Sequence, residues 1–169
     1  MPTSTASGNK LPLGWINRDS NENSIDRSKL PKGIISYNSA SGWINHELMY
    51  DYLNDIIKPY TKSKPAALIM DEYKAHWEDR VQDLARSMNL ELIKVPPGTT
   101  STQQPLDISV NGPMKQIRQR IYVENKIIHP NASDSIELAV NRSFSAYQQI
   151  TPQTIIKGWK QICPLLDQL

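Results

Sequence analysis

Two aspartates stand where a rigid scaffold could aim them at one point. Asp71 directly follows the apolar run Ala66 to Met70 (AALIM), and Asp107 follows a second strand-like run, Leu90 to Val95 (LELIKV), after the polar stretch PPGTTSTQQPLD. A buried strand is a stiff platform, and ligand sites in open α/β sheets gather beyond the carboxyl ends of strands. Carboxylates converging from separate elements are what divalent-metal phosphodiester chemistry requires. Hard oxygens hold a cation that faces both the attacking and the leaving oxygen. Each aspartate also has a plainer reading, as a turn or cap residue before a helix. Spacing alone does not choose between them.

The other reactive side chains are few. His76 lies five residues after Asp71, placed either to touch a metal or phosphate or to pack at a helix start. His46 and His129 fall in helix-start and loop contexts, and three histidines with one cysteine show no zinc-site spacing. Cys163 sits in an apolar helical pattern and reads as a buried thiol. On a helical wheel begun at Gly112, Lys115, Arg118, Tyr122 and Lys126 share a face, apart from the stripe Met114, Ile117, Ile121 and Ile128. Basic residues with an interleaved aromatic suit a phosphate backbone, and equally suit an ordinary solvated face. Trp43, Trp77 and Trp159 read as core residues rather than base-stacking platforms.

The elements that must position these residues follow from periodicity. Residues 1–30 are rich in Ser, Asn, Asp, Lys and Gly and read as a flexible leader or loop, with one short strand around Leu11, Leu13, Trp15 and Ile16. Gly33 to Tyr37 predicts a strand. Leu48, Met49, Tyr52, Leu53, Ile56 and Ile57 make one helical face, ended by Pro59. Ala66 to Met70 predicts a buried strand, and Trp77, Val81, Leu84, Ala85 and Met88 a second helix. Leu90 to Val95 then alternates as a strand closed by Pro96 and Pro97. Helices follow from Gly112 to Ile128, through Ile136, Val140, Phe144 and Tyr147, and from Thr151-Pro152 through Ile162. Helices between strands predict an α/β fold with parallel pairing by right-handed crossovers. The 169 residues carry 38% hydrophobic and 21% charged residues and a net charge of +2. That length suits one domain, and no apolar run reaches the roughly 20 residues that span a bilayer. The polar start, Met1 to Lys10, has no signal-peptide core, so neither secretion nor a membrane partner is expected.

Two blocks of text are more specific. LIMDEYKAH and LELIKVPPGTTSTQQPLDISVNGPMK resemble the DDE endonuclease family of pogo, Tigger and jerky elements. There an apolar strand ends in Asp with His five residues on, a second strand leads to a Pro-Pro-x-Thr-Thr loop, and Gln-Pro-Leu-Asp opens the last catalytic helix. The matching positions are Asp71 and His76, then Pro96, Pro97, Thr99 and Thr100, then Gln104, Pro105, Leu106 and Asp107, with 35 residues between the aspartates. SYNSASGWINHELMYDYL resembles the family's Gly-Trp segment and its helix.

The resemblance implies a ribonuclease H-like α/β fold, incomplete at the N-terminus, with a mixed sheet flanked by helices and further C-terminal helices. It divides the chain into a leader (1–30), a partial catalytic core (31–128) and a helical extension (129–169). It implies Asp71 and Asp107 as catalytic and metal-binding residues, with His76 adjacent. Mg²⁺ or Mn²⁺ is the implied cofactor, held weakly. Lys115, Arg118 and Lys126 would meet DNA, and the location would be nuclear.

Departures from the family qualify the chemistry. Its first catalytic Asp precedes the Gly-Trp segment, and the acids available here, Asp19, Glu22 and Asp26, follow no buried strand. Glu72 and Gly98 replace asparagines. A fragment or decayed copy that cleaves little by itself is expected; a domesticated module binding DNA or protein is the alternative. Self-association through an uncovered sheet, or an N-terminal segment supplied by another chain, is the expected partner behaviour beyond DNA.

Overall fold

The computed structural model describes residues 1–18 and 25–163, so Asp19 and Glu22 lie outside the described residues. The segment carrying Asp71 forms the expected strand without the expected burial: only Met70 is buried and Ala67 is exposed, because β4 is the one strand paired with it among the described residues. Strand β3 (Ala66–Met70) pairs in parallel with β4 (Leu90–Lys94), in register from Ala66 opposite Leu90 to Met70 opposite Lys94. The crossover contains a short 3₁₀ turn, Lys74–His76, and helix α3 (Asp79–Ser87). Val81, Ala85 and Met88 are buried at i, i+4 and i+7, a spacing that keeps one helical face on the core. Asn89 takes a left-handed conformation (φ 55°) and turns the chain directly into β4.

A second parallel pair joins β1 (Leu13–Arg18) to β2 (Ile34–Ser39). Before it, residues 1–5 fold back on residues 9–14. Thr5 N–H donates to Asn9 O at 2.9 Å, Leu11 N–H to Thr3 O at 2.9 Å and Gly14 N–H to Met1 O at 3.1 Å. Gly8, at φ +88°, makes the tight turn. The stretch read as a flexible leader therefore contains a hairpin besides the short strand expected around Leu11 to Ile16. Leu11 and Leu13 are buried, and Tyr147 places its hydroxyl between the carbonyls of Thr3 and Leu11. Burial of apolar side chains outweighs the polar composition that made this segment look unstructured. Where one mixed sheet was expected, the described strands form two separate two-stranded sheets.

The helix after the Gly-Trp segment runs as α1 (His46–Tyr52), a π-helical turn (Leu53–Ile57) and α2 (Lys58–Thr61). The expected stop at Pro59 is not made there. The wider π turn lies just where the proline ring would meet the preceding carbonyls, so the rod continues one more turn. It ends at Lys62 and Ser63, both left-handed. Met49, Tyr52, Leu53 and Ile56 from this rod join Val81, Ala85, Met70 and Leu90 in the main core.

The C-terminal part contains α4 (Thr100–Gln103), α5 (Pro105–Ser109), α6 (Asn111–Ile128), α7 (Ile136–Gln149) and α8 (Pro152–Ile162). The Thr151 side chain accepts from Thr154 N–H and caps α8 as its sequence predicts. Lys10 Nζ donates to the carbonyls of Tyr147, Gln148 and Ile150 at 2.9, 2.7 and 3.0 Å, satisfying the open end of α7. A smaller core of Val110, Ile150 and Ile155 holds α5, α6 and α8 together. Gly158 sits at the closest point: a Cβ there would lie 2.3 Å from Ser109 Oγ and 2.6 Å from Pro105 O. The glycine is what lets α8 touch α5.

Candidate functional site

Asp71 is the first residue beyond β3, and its own backbone and side chain build the turn that follows. Asp71 Oδ1 accepts from Tyr73 N–H at 3.2 Å, and Trp77 Nε1 donates to Asp71 O at 2.9 Å. His76 Nδ1 stands 2.9 Å from Asp71 Oδ1, a close contact that lacks hydrogen-bond alignment. The imidazole is mostly covered, with its side chain 14% exposed against 42% for Asp71. The carboxylate thus meets solvent while its histidine is held behind it, with the Tyr73 ring edge-on to the imidazole at 5.5 Å. Glu72 faces Lys94 at 4.0 Å, and Lys94 Nζ lies 4.6 Å from the centre of the Trp77 ring. A screened contact of this kind contributes little to stability, and it partly offsets the added negative charge of Glu72.

Asp107 lies in the first turn of α5, where a carboxylate is favoured by the helix dipole. Its Oδ1 accepts from Asn111 Nδ2 at 2.6 Å. Asn111 stands four residues on, across the bend at Val110, so the pair spans the junction of α5 and α6. Its i, i+4 spacing is visible in the sequence, but only the near-helical bend at Val110 makes the two side chains meet.

Asp71, His76, Gln104 and Asn111 line one cavity of about 440 Å³, shared with Trp43, Leu68, Leu106 and Trp159. Asp107 itself is not among the lining residues; Asn111 is the link between it and this cavity. Tyr52 also lines the cavity, donating or accepting with Thr3 Oγ1 at 2.7 Å, and burial pushes its phenol up to about 12. It stays protonated and takes no part as a base near neutral pH. The Asp71–His76 pair offers a cation one carboxylate and one imidazole. Among the described residues no three His, Cys, Asp or Glu side chains gather as a metal cage. The donor set does not by itself fit a tightly held Mg²⁺ or Mn²⁺, which needs several oxygens from the protein or substrate.

The three α6 cations expected to meet DNA divide into two groups. Lys115 and Arg118 are exposed and flank a shallow depression that also touches Met1, Pro2 and Asn111. Met1, Pro2 and Asn111 also line the Asp71 cavity, so the two depressions adjoin. Lys126 is engaged elsewhere: its Nζ donates to Ala132 O at 2.6 Å and closes the loop after α6. Tyr122 lies under the guanidinium of Arg142 at 5.1 Å. Four residues that share a face on a wheel are thus split by what packs against the far end of the helix. Among the described tryptophans Trp43 is 71% exposed, contrary to the core placement expected for it. The Gly42 turn (φ +75°) lifts its side chain off the core, where the neighbouring Ile44 packs instead.

An α/β chain that ends a strand in aspartate, follows it with histidine five residues on and brings the helix of a second aspartate to the same cavity has the outline of a nuclease core. Residues 3–159 match the DDE superfamily endonuclease family, and the chain belongs to it. It is 27% identical to the human "Pogo transposable element with KRAB domain" and 26% identical to the mouse protein of that name. Each similarity covers 92% of this chain and 27% of the relative, so the chain spans about a quarter of the length of these curated proteins. No solved structure matches it.

Proposed function

We propose that this chain is a DNA-holding part of a DDE-type transposase core with ribonuclease H-like ancestry, and that by itself it cuts no DNA. The observation that carries the reading is the placement of Lys115 and Arg118, exposed and next to Asn111, which binds Asp107 and lines the Asp71 cavity. A phosphate backbone tracked by these two cations would be drawn along the mouth of that cavity. Asp71 and Asp107 are the carboxylates that a divalent cation on that backbone would meet, and His76 orients behind Asp71. Two carboxylates from separate elements hold such an ion weakly, which favours holding DNA over cleaving it. The similarity to the human and mouse proteins named for a pogo transposable element supports a nuclear location.

The test is binding to duplex DNA over a range of salt, with wild type and the Lys115→Ala, Arg118→Ala double variant. Each phosphate neutralised contributes about 0.9 to the slope of log K against log salt, so the double variant should lose roughly 1.8 from that slope, for every sequence alike. An unchanged slope removes α6 from the interface. A parallel incubation of supercoiled DNA with millimolar Mn²⁺ should give no nicking; metal-dependent nicking that Asp71→Asn abolishes would overturn the non-cleaving half of the proposal.

A further inference from the structure

Ser133 stands between two cations whose donors are only partly used, and we propose that it is a phosphorylation site whose phosphate is held in the cavity between α6 and α7. That cavity, of about 130 Å³, is lined by Tyr122, Lys126, His129, Ser133, Asp134 and Arg142. Tyr122 and Lys126 come from α6 and Arg142 from α7, and the others belong to the loop that joins the two helices.

The grip on this loop falls on either side of the serine. Lys126 Nζ donates to Ala132 O at 2.6 Å, and Arg142 holds the Asp134 carboxylate at 2.6 and 2.9 Å. Ser133, the residue between them, is exposed and makes no hydrogen bond among the described residues. An ammonium has three N–H donors and a guanidinium five. Ala132 takes one from Lys126, and Asp134 takes one from each terminal nitrogen of Arg142, so both cations keep donors to spare. Arg142 is buried, with the Tyr122 ring 5.1 Å from its guanidinium, so it cannot swing those donors out to water as a surface arginine does. A further oxyanion would satisfy them. The field at the loop has the right sign. Hydrogen bonding by Arg142, and then the charges of Arg142 and Lys126, hold the Asp134 carboxyl below its ordinary value.

Phosphoserine supplies what the cavity lacks: about −1.5 to −2 charges at pH 7 and three strong acceptor oxygens. Ser133 also lies two residues before the cap of α7, where the dipole of a 14-residue helix favours negative charge. The loop suits a kinase. It is exposed and non-helical from Asn131 to Ser135, so it can be drawn into a groove that takes extended peptide. Asp134 and Glu137 follow the serine, and no Lys or Arg lies from His129 to Asn141, so the enzyme implied is an acid-directed serine kinase. Ser135, the neighbouring hydroxyl, is engaged as the α7 cap, accepting from Leu138 N–H at 3.3 Å. In the transfer the γ-phosphorus of ATP bonds to Ser133 Oγ, its bond to the ADP oxygen breaks, and the hydroxyl proton is released. The phosphate would turn two separate loop contacts into one clamp between α6 and α7. This inference does not depend on DNA binding, and its failure would leave the Lys115 and Arg118 reading intact.

The first test is incubation of the full chain with ATP and a eukaryotic cell extract, followed by trypsin. Cleavage after Lys126 and Arg142 releases the peptide Ile127 to Arg142, whose fragment ions tell Ser133 from Ser135. Phosphate on Ser133 is expected; an unmodified peptide, or phosphate on Ser135 alone, would overturn the proposal. The second test is thermal unfolding of the full chain made with phosphoserine encoded at position 133. Its Tm should lie about 2–4 °C above that of the unmodified chain, the effect of one added charge-assisted hydrogen bond at this size. In a Lys126→Gln background, compared with its own unmodified parent, most of that rise should be lost. An equal rise there would assign the effect to the α7 N-terminus alone and overturn the held phosphate. No rise in the unsubstituted chain would overturn it as well.

Discussion

Replacing Gly158 by alanine tests whether α8 is the buttress that sets the position of α5 and, through it, of Asp107. The added Cβ would stand 2.3 Å from Ser109 Oγ, 2.6 Å from Pro105 O and 3.0 Å from Ser109 Cβ. Ordinary contact begins near 3.4 Å, so the two helices must separate by about 1 Å. The serine hydroxyl can rotate away, but the Pro105 carbonyl belongs to the backbone and cannot. Overpacking of a close-packed contact costs about 1–3 kcal/mol, and an immovable carbonyl places this site near the top of that range. Alanine returns roughly 1 kcal/mol through its better helix propensity. The net expected loss is about 2 kcal/mol, or roughly 4–8 °C in Tm for a domain of this size. Thermal unfolding followed by circular dichroism reads it directly. In a Ser109→Gly background the same substitution should recover only part of the loss, since the carbonyl remains, and comparing each with its own parent isolates the coupling. A Tm equal to or above wild type would show that α8 packs on α5 with slack, and that the glycine has no role in placing Asp107.

Three further outcomes follow from the described geometry. Mn²⁺ at a concentration equal to its dissociation constant should add about 0.4 kcal/mol, a Tm rise of roughly 1–2 °C, and Asp71→Asn or Asp107→Asn should remove it; equal responses in all three proteins would mean that the carboxylates share no cation. Asp134→Asn should cost about 1–2 kcal/mol near neutral pH, because Arg142, 10% exposed, loses contacts of 2.6 and 2.9 Å; the cost stays modest because Asp134 is 41% exposed and water screens the pair. Hydrogen bonding by Arg142 holds the Asp134 carboxyl below its ordinary 3.8, so the stabilisation is present above that value and is lost as pH falls through the lowered one. Urea unfolding should therefore show the gap between wild type and Asp134→Asn closing in acid; a gap independent of pH would assign it to packing. Finally, Lys126→Ala should leave the DNA salt slope nearly unchanged while loosening the loop that ends at Ala132, which proteolysis would report; a fall in slope like that of Arg118→Ala would return Lys126 to the interface.

What the sequence determined by itself was local. Ala66 to Met70 and Leu90 to Val95 read as strands from a short apolar run and an alternating one, and they pair in parallel across one helix, although Met70, Leu90 and Val95 are the residues of them that are buried. Asp71 at a strand end, the Thr151-Pro152 helix start and the family text from Pro96 to Asp107 were equally legible, since each depends on neighbours within a few residues. Tertiary structure decided everything that depended on contacts between distant segments. The polar leader became a hairpin because Lys10 and Thr3 meet α7, more than 130 residues away in sequence. Pro59 was absorbed by a π turn, Lys126 was taken by a loop carbonyl, and Trp43 was turned outward. Asp107 reaches the cavity only through Asn111. Periodicity reports which face of an element is apolar; it carries no information about which other element that face, or the backbone edge beside it, will meet.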